Sequence, residues 1–494
     1  MGQVQPGAEL NGTLCVFPLT ESSIKKSTAS AATTKPFPVP VVLAEDKIHP
    51  RSVSGVFSNW RWIMVWVTQI IFYGLPWVEW NNRQAVLFDL EARTFYLFNL
   101  VLFPHDLIYL TVLLIISALA LFLFTAVAGR LWCGFACPQT VYTEIYLWME
   151  KLVEGDRQAR MRLDQSGHSF QKVGKKSLKH LLWLGFGLWT GFTFVGYFTP
   201  IDQLGQAVLQ ASLGPWQTFW ILFYGFATYG NAGFLREKIC KYMCPYARFQ
   251  SAMFDTDTLI VTYDAGRGEP RGGRARTADL SQLKLGHCVD CSLCVQVCPT
   301  GIDIRKGLQY ECIGCGVCAD ACDAVMDKVG YPKGLVRFTT QNGLQQGWTS
   351  HQIWRRVLRP RVLVYSAILL LFTLALFTSL YLRTPLKIDV VRDSGVMSRM
   401  VGQGYIENVF RLRVLNATEQ VQHYRITVQG LPGVLIESES RFSLEPTAAR
   451  SMALTLRVPP GSSPAGAHPI RIEVQAEADP SLRAATNSVF MVPR

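Results

Sequence analysis

Five apolar stretches interrupt a mixed sequence: Trp62–Val78, Leu107–Val127, Leu181–Phe198, Trp216–Phe234 and Val362–Leu382. The second and fifth reach the length of about 20 residues that a membrane-spanning helix needs. The first and third are shorter but carry Trp, Tyr or Phe near their ends, where interfacial anchors sit. The fourth contains Gln217 and Asn231 and is the weakest, since a buried core helix reads the same way. The pattern predicts a multi-domain membrane protein with an α-helical transmembrane bundle of five spans. Beyond Leu386 the period shortens to two. Val409–Leu415, Tyr424–Val428, Ser451–Val458 and Ile470–Val474 alternate between Gly, Pro and Asn turns, which predicts a small β-sandwich. Residues 1–48 are rich in Ser, Thr, Ala and Pro and lack the apolar core of a secretory signal. They predict a disordered leader, with Cys15 an ordinary free thiol.

Charge turns the spans into a topology. The formal net charge is +12 and the mean hydropathy +0.18, high for 494 residues. Nine Lys and Arg lie between the second and third spans, among them Arg130, Lys151, Lys175, Lys176 and Lys179. The connection between the fourth and fifth holds more, including Arg236, Lys238, Arg267, Arg271, Arg274 and Arg276. Only Arg83 and Arg93 separate the first two spans, and no Lys or Arg separates the third and fourth. The positive-inside rule places the basic loops and the amino terminus in the cytoplasm and the sandwich outside. The charge is therefore a topology signal. No recognition motif accompanies it, which argues against nucleic acid as a partner.

Eight of the thirteen cysteines fall into two runs of one rhythm: Cys288-x2-Cys291-x2-Cys294-x3-Cys298-Pro299 and Cys312-x2-Cys315-x2-Cys318-x3-Cys322. This is the ligand spacing of a two-cluster bacterial ferredoxin, in which the fourth cysteine of each run serves the other cluster. One [4Fe–4S] cluster is assigned Cys288, Cys291, Cys294 and Cys322, and the second Cys298, Cys312, Cys315 and Cys318. Zinc sites use separated CxxC pairs and fit this rhythm poorly. Asp323 stands where proline usually follows the second run. A Gly- and Arg-rich stretch, Asp264–Asp279, reads as a solvated flexible connector between this module and the membrane.

The first four spans look duplicated. Each hairpin ends in a Cys-x3-Cys-Pro motif, Cys133 to Pro138 and Cys240 to Pro245, 107 residues apart. Cysteines at i and i+4 share a helix face, and proline suits the first turn of a following helix. Across a pseudo-two-fold axis the motifs predict one site of four thiols, Cys133, Cys137, Cys240 and Cys244. Soft thiolates select Cu(I), zinc or iron–sulfur, and a reversible dithiol is a further option. Met149 and Met243 are candidate helpers for copper, though methionine near a membrane helix is more often packing. There is no CxxCH haem motif, no Rossmann loop and no Walker loop. Gly185, Gly187 and Gly191 within the third span read as helix packing.

Two segments resemble the CcoG/FixG/RdxA family. One is Arg130-Leu-Trp-Cys133-Gly-Phe-Ala-Cys137-Pro-Gln-Thr. The other runs from Leu235 through Cys240 and Tyr242-Met-Cys244-Pro-Tyr-Ala-Arg-Phe-Gln to Asp255, and on to Arg267-Gly-Glu-Pro-Arg-Gly272. The resemblance covers nearly the whole chain beyond residue ~50 and implies an immunoglobulin-like outer domain. The resulting layout is a leader (1–55), a four-span core (56–255), a linker (256–279), a 2[4Fe–4S] ferredoxin domain (280–335), a second linker with the fifth span (336–385) and a periplasmic immunoglobulin-like domain (386–494). It implies a multi-pass protein of the bacterial inner membrane that reduces Cu(II) to Cu(I) during assembly of cbb3-type cytochrome c oxidase. Oxidase assembly factors, copper-delivery proteins and a cytoplasmic electron donor are the partners it implies. Rival functions are a quinol dehydrogenase-type membrane ferredoxin feeding a periplasmic reductase, and a non-enzymatic assembly scaffold. No catalytic residue is assigned.

Overall fold

The computed structural model describes residues 47–274, 284–392, 398–402 and 404–493. The leader up to residue 46 with Cys15, and positions 275–279 of the expected connector with Arg276, lie outside the described residues. The principal helices are α1 (Val56–Gly74), α2 (Leu107–Ala128), α3 (Leu131–Phe135), α4 (Pro138–Glu154), α5 (Arg157–Gln165), α6 (Phe170–Val195), α7 (Ile201–Leu209), α8 (Pro215–Gly230), α9 (Pro245–Met253), α10 (Val317–Val329) and α11 (Pro360–Tyr381).

A helix stands at each of the five apolar stretches. Among the described residues, two of them, α2 and α11, are long and apolar enough to cross a membrane. The others fall short for visible reasons. Helix α8 has 16 residues, α1 has 19 and contains Arg61, and α6 carries four lysines in its first half. Helices α6 and α8 pack through glycine. A Cβ on Gly187 would sit 2.7 Å from the Gly225 carbonyl oxygen, and one on Gly191 would overlap the Ile221 carbonyl oxygen. Gly185 faces open space, so two of the three glycines make the close approach.

The lysine-poor connections meet the carboxy-terminal domain at one end. Strands β1 (Val86–Asp89), β2 (Thr94–Leu97) and β3 (Leu100–Leu102) form an antiparallel sheet. The Phe88 N–H donates to the Tyr197 carbonyl (2.8 Å). Val101 and Phe103 pack against Leu415 and Ala417. Asp106 accepts from Arg383 (2.7 Å) and Lys387. Burial pushes the Asp106 carboxyl up, but Lys387 and Arg383 outweigh it and hold the group below its ordinary value.

The opposite end holds both Cys-x3-Cys-Pro motifs, α4, α5 and the cysteine-rich insert. The insert is closed by β4 (Ile260–Tyr263) pairing antiparallel with β5 (Val336–Thr339) over a core of Tyr263, Ile304, Met326 and Leu335. These strands lie in what the sequence reads as linkers. The expected flexible connector is corrected over its described part. Arg267 donates to the Pro332 and Lys333 carbonyls (3.0 and 3.1 Å), and the Asp264 N–H to the Leu335 carbonyl (2.9 Å). With the backbone bonds from the His287 N–H to the Arg267 carbonyl (2.9 Å) and from the Gly286 N–H to the Pro270 carbonyl (2.8 Å), these contacts fix residues 264–274 to the module. The last residues assigned to the leader are also held: the His49 and Pro50 carbonyls accept from Arg157 (2.9 Å) and Arg160 (2.6 Å).

Among the described residues beyond α11, nine strands make two facing sheets: β6 (Leu386–Arg392), β7 (Arg399–Val401), β8 (Tyr405–Asn416), β9 (Gln422–Gln429), β10 (Leu435–Ile436), β11 (Arg441–Leu444), β12 (Ala449–Val458), β13 (Gly466–Ala476) and β14 (Arg483–Val492). One sheet runs β10-β12-β8-β6 with β7 on β8, the other β11-β9-β13-β14. Alternate residues such as Phe410, Leu412, Ile472, Val474 and Phe490 fill the space between them. Inward alternation from two sheets is the mark of a sandwich.

Part of the basic excess is internal. Glu150 and Glu154 are buried and draw in Arg236 (2.9 Å), Arg160 (3.3 Å), Lys179 (2.9 Å) and Lys176 (3.0 Å). This network ties α4, α5 and α6 to the segment that leads into Cys240.

Candidate metal centres

The two paired-cysteine motifs are built alike. Helix α3 carries Cys133 and ends at Phe135, and Cys137 becomes the N-cap of α4 with Pro138 at its first position. In the second half, a π-helical turn, Ile239–Met243, carries Cys240, and Cys244 is the N-cap of α9 with Pro245 at its first position. Proline is favoured there because that N–H has no helical partner. The expectation that each pair shares one helix face is corrected: a helix ends between its two members.

The four thiols lie within electrostatic reach of one another, without closing on a single point. Burial pushes Cys133 up to about 11 and Cys240 up to about 12, and Cys137 also upward; each is raised further by a thiol of the other motif. Arg130 opposes the shift at Cys133 and Cys240. Thiols held so high stay protonated at neutral pH unless a cation compensates their charge, which is how metal binding and thiol ionisation are linked. Cys133 donates to Gln250 Oε1 (3.4 Å), and its carbonyl accepts from the Thr140 hydroxyl (2.6 Å). Gln250 is fully buried and donates in turn to Thr125 (3.4 Å). Met149 packs among Val141, Ile145, Tyr146 and Trp183, and Met243 is exposed.

Cysteines of the insert line two hollows. Cys288, Cys291, Cys294 and Cys322 border one, with Arg305 and Tyr263. Cys298, Cys312, Cys315 and Cys318 border the other, which Cys294 also touches. Burial pushes Cys294 up to about 11, and Cys312 and Cys322 to about 12. Asp323, at the position of the usual proline, accepts the Gly334 N–H (2.8 Å). Among the described residues, no group of three or more His, Cys, Asp or Glu closes on a point tightly enough to hold a single metal ion.

The two constellations touch. Cys133 and Cys240 pack against the apolar cluster of Val297, Ile313, Cys315 and Val317. A Cβ on Gly134 would lie 2.7 Å from Cys315 Cα and 2.9 Å from the Ile313 carbonyl oxygen. Arg130 donates to the Cys312 carbonyl (3.3 Å) and to the Ala247 carbonyl. Arg61, buried in α1, donates to the Gly134 carbonyl (3.2 Å) and pairs with Glu144 (2.7 Å). The α1 N-terminus is capped by Asp320 of α10, which accepts the Phe57 and Ser58 N–H groups (3.2 and 2.7 Å). Gly316, at φ +72°, lies so close to Phe57 that a Cβ would stand 2.7 Å from its ring. Arg61, Arg130, Gln250 and Asp320 were absent from the sequence-derived site. Arg61 had a readable signal: a lone charge beside an apolar span marks function or pairing.

Comparison with known proteins agrees across these units. Residues 235–341 match a family model described as "4Fe-4S dicluster domain", residues 110–154 one described as "4Fe-4S binding domain", and residues 376–493 an "IG-like fold at C-terminal of FixG". The chain is 35% identical over 446 residues to "Nitrogen fixation protein FixG" of Rhizobium meliloti, covering 84% of this chain and 85% of that one. It is 38% identical over 440 residues to "Protein RdxA" of Cereibacter sphaeroides, covering 86% and 92%. "Protein RdxB" of the same organism is also 38% identical, over 421 residues, covering 84% and 88%. A crystal structure of a FixG-related protein from Vibrio parahaemolyticus covers 22% of this chain and 95% of its own at 24% identity, with a TM-score of 0.20, too slight a likeness to bear on the fold.

Proposed function

The chain belongs to the FixG/RdxA family, and from that premise we propose that this iron–sulfur electron-transfer protein reduces Cu(II) to Cu(I) during assembly of a cbb3-type cytochrome oxidase. In this reading Cys288, Cys291, Cys294 and Cys322 hold one [4Fe–4S] cluster and Cys298, Cys312, Cys315 and Cys318 the other. The cysteines lining the two hollows supply the thiolate donors that such groups require. A bound cluster supplies one electron at a time. Copper is the substrate, received by Cys133, Cys137, Cys240 and Cys244, because thiolates prefer the Cu(I) product. One observation carries the reading: Gly134, beside Cys133, packs directly on the Cys312–Cys318 loop. Gln250 and Arg130 hold the receiving loop in place. The five helices at the apolar stretches make the membrane region, α2 and α11 crossing by their own length and apolarity and α1, α6 and α8 packed in company with other helices, with the insert in the cytoplasm and the sandwich in the periplasm facing assembly partners; the loop-charge asymmetry supports this orientation.

Anaerobic protein, reduced by dithionite and freed of excess reductant, is mixed with Cu(II) and a Cu(I)-specific chelator. Stoichiometric Cu(I) formation is expected, and its loss when Cys133 and Cys137 are both serine. Equal reduction by that variant would sink the copper site. No reduction at all would favour a scaffold.

A second reading places a third iron–sulfur cluster on the same four thiols. It is favoured by the "4Fe-4S binding domain" match at 110–154, where the sole cysteines are Cys133 and Cys137. Iron content of the double-serine variant separates the two: unchanged for copper, reduced for a third cluster.

A further inference from the structure

A cavity of about 690 Å3 lies between α1, α4 and the loop that follows Cys298. Its volume falls within the roughly 300–1,000 Å3 typical of small-molecule sites. Trp62, Trp66, Tyr73, Trp148 and Phe186 line it, and Trp66 stands 63% exposed. At one end Val297, Pro299 and Val317 close it, so this end abuts the loop of Cys298, whose thiol faces the second hollow. Along α1 it extends from Arg61 to Tyr73, about 18 Å at the helical rise of 1.5 Å per residue.

Among its polar groups Gln69 stands apart. Gln69 Oε1 is buried without a hydrogen-bond partner, while the Gln69 side chain also bonds the Tyr142 hydroxyl. An amide offers both a donor and an acceptor, and a buried oxygen left unpaired is costly. Arg61 at the far end is neutralised by Glu144 (2.7 Å). Of the other cations lining it, Arg160 pairs with Glu150 (3.3 Å), Lys151 faces Asp156 (3.9 Å) and Arg51 is exposed to solvent. Arg51 is thus the lining cation left to meet a phosphate headgroup, which is why a phospholipid competitor belongs in the test. Flat aromatic walls select a ring, and the unpaired Gln69 oxygen selects a hydroxyl on it.

The geometry points to a binding site for a quinone-class ring, packed on the aromatic wall beside Gln69, with its oxygen on Gln69 and its apolar tail leaving past Trp66. The quinol form donates to Gln69 Oε1 and the quinone form accepts from Nε2. The site deepens the electron-carrier reading by giving the class of its redox partner, a membrane-soluble carrier beside the second cysteine run. It does not depend on copper, since dithionite-driven Cu(II) reduction needs no quinone.

The test uses full-length protein in detergent. An azido-quinone is photolysed with it, and labelled peptides are mapped with and without excess decylubiquinone. Label on peptides of α1 and α4, displaced by decylubiquinone, is expected. Gln69→Leu should weaken displacement about tenfold, the effect of one lost hydrogen bond. Leu147→Trp, which fills the cavity, should abolish labelling. Both variants should retain wild-type iron content, which reports that they fold. Label spread over other helices would overturn the proposal, as would equal displacement by phosphatidylglycerol or unchanged affinity in both variants.

Discussion

Replacing Gly134 by alanine tests the contact on which the functional reading rests. Gly134 lies in α3, where alanine is intrinsically favoured by about 1 kcal/mol. Local propensity alone therefore predicts stabilisation. Packing predicts the reverse. The new Cβ would stand 2.7 Å from Cys315 Cα, 2.9 Å from Cys315 N and 2.9 Å from the Ile313 carbonyl oxygen. Carbon atoms rest at about 3.5–4.0 Å, so one loop must retreat by about 0.8 Å. All three obstructing atoms are backbone and cannot rotate away. Overpacking of this kind costs about 1–3 kcal/mol, which outweighs the propensity gain. The retreat also stretches the Arg61 bond to the Gly134 carbonyl. Gly134→Ala should lower the melting temperature, make the iron of the second run easier to extract by chelator, and slow Cu(II) reduction. Gly185→Ala is the control, because its Cβ meets nothing within 4 Å; it should be neutral or slightly stabilising. Wild-type melting, iron retention and copper reduction in Gly134→Ala would refute the described contact between the two loops.

Other outcomes follow from single residues. Cys298→Ser should deplete iron from the set of Cys312, Cys315 and Cys318, since Cys298 faces that hollow; spectroscopy showing loss only from the Cys288 set would contradict the assignment. Asp320→Ala removes the carboxylate capping α1 and should cost about 1–2 kcal/mol, read in thermal unfolding; no change would mean the cap is dispensable. Because Asp106 titrates below its ordinary value in the folded chain, its contribution is complete above the unfolded pKa, about 3.9, and fades as pH falls through the lower folded value. Hydrogen exchange at Val101 and Leu415 should therefore accelerate below about pH 4, and Asp106→Asn should remove that step. Reporter fusions after Gly272 and Gly330 should signal cytoplasm and one after Leu386 periplasm; a periplasmic signal from the insert would invert the topology.

What the sequence made legible is what short-range chemistry dictates. The x2-x2-x3 rhythm of the cysteines is a local constraint, and the residues it names do border the two hollows. The alternation in Val409–Leu415 and Ile470–Val474 is equally local, and both fall within strands β8 and β13. Long-range partners left no such trace. Nothing near Gly134 announces Cys315, 181 positions away in sequence. The glycines of 264–274 look like a flexible linker, yet Gly268 is glycine because Tyr263 occupies the space of a Cβ. Burial within the basic loops left no trace either. Loop composition cannot distinguish a solvated lysine from Lys179, which is buried against Glu154 and over the Trp183 ring.

Arg61 joins these observations into one electrostatic device. It is buried, its Nε holds the carbonyl beside Cys133, and it lies within electrostatic reach of Cys298 and Cys315. It also lines the aromatic cavity. A positive charge is costly to bury and persists only where negative charge compensates it. Glu144 supplies one such charge. Ionised thiolates of the second run would supply more, and Arg61 would favour their ionisation in return. One guanidinium therefore couples the paired-cysteine loop, the second hollow and the cavity through the same field. Replacing it by lysine would keep the charge but lose the fork that grips Gly134 and Glu144 together. The expected result is retained folding with loosened coupling: near-normal iron content and slower copper reduction. Equal loss of both would show instead that Arg61 is needed chiefly to hold the fold.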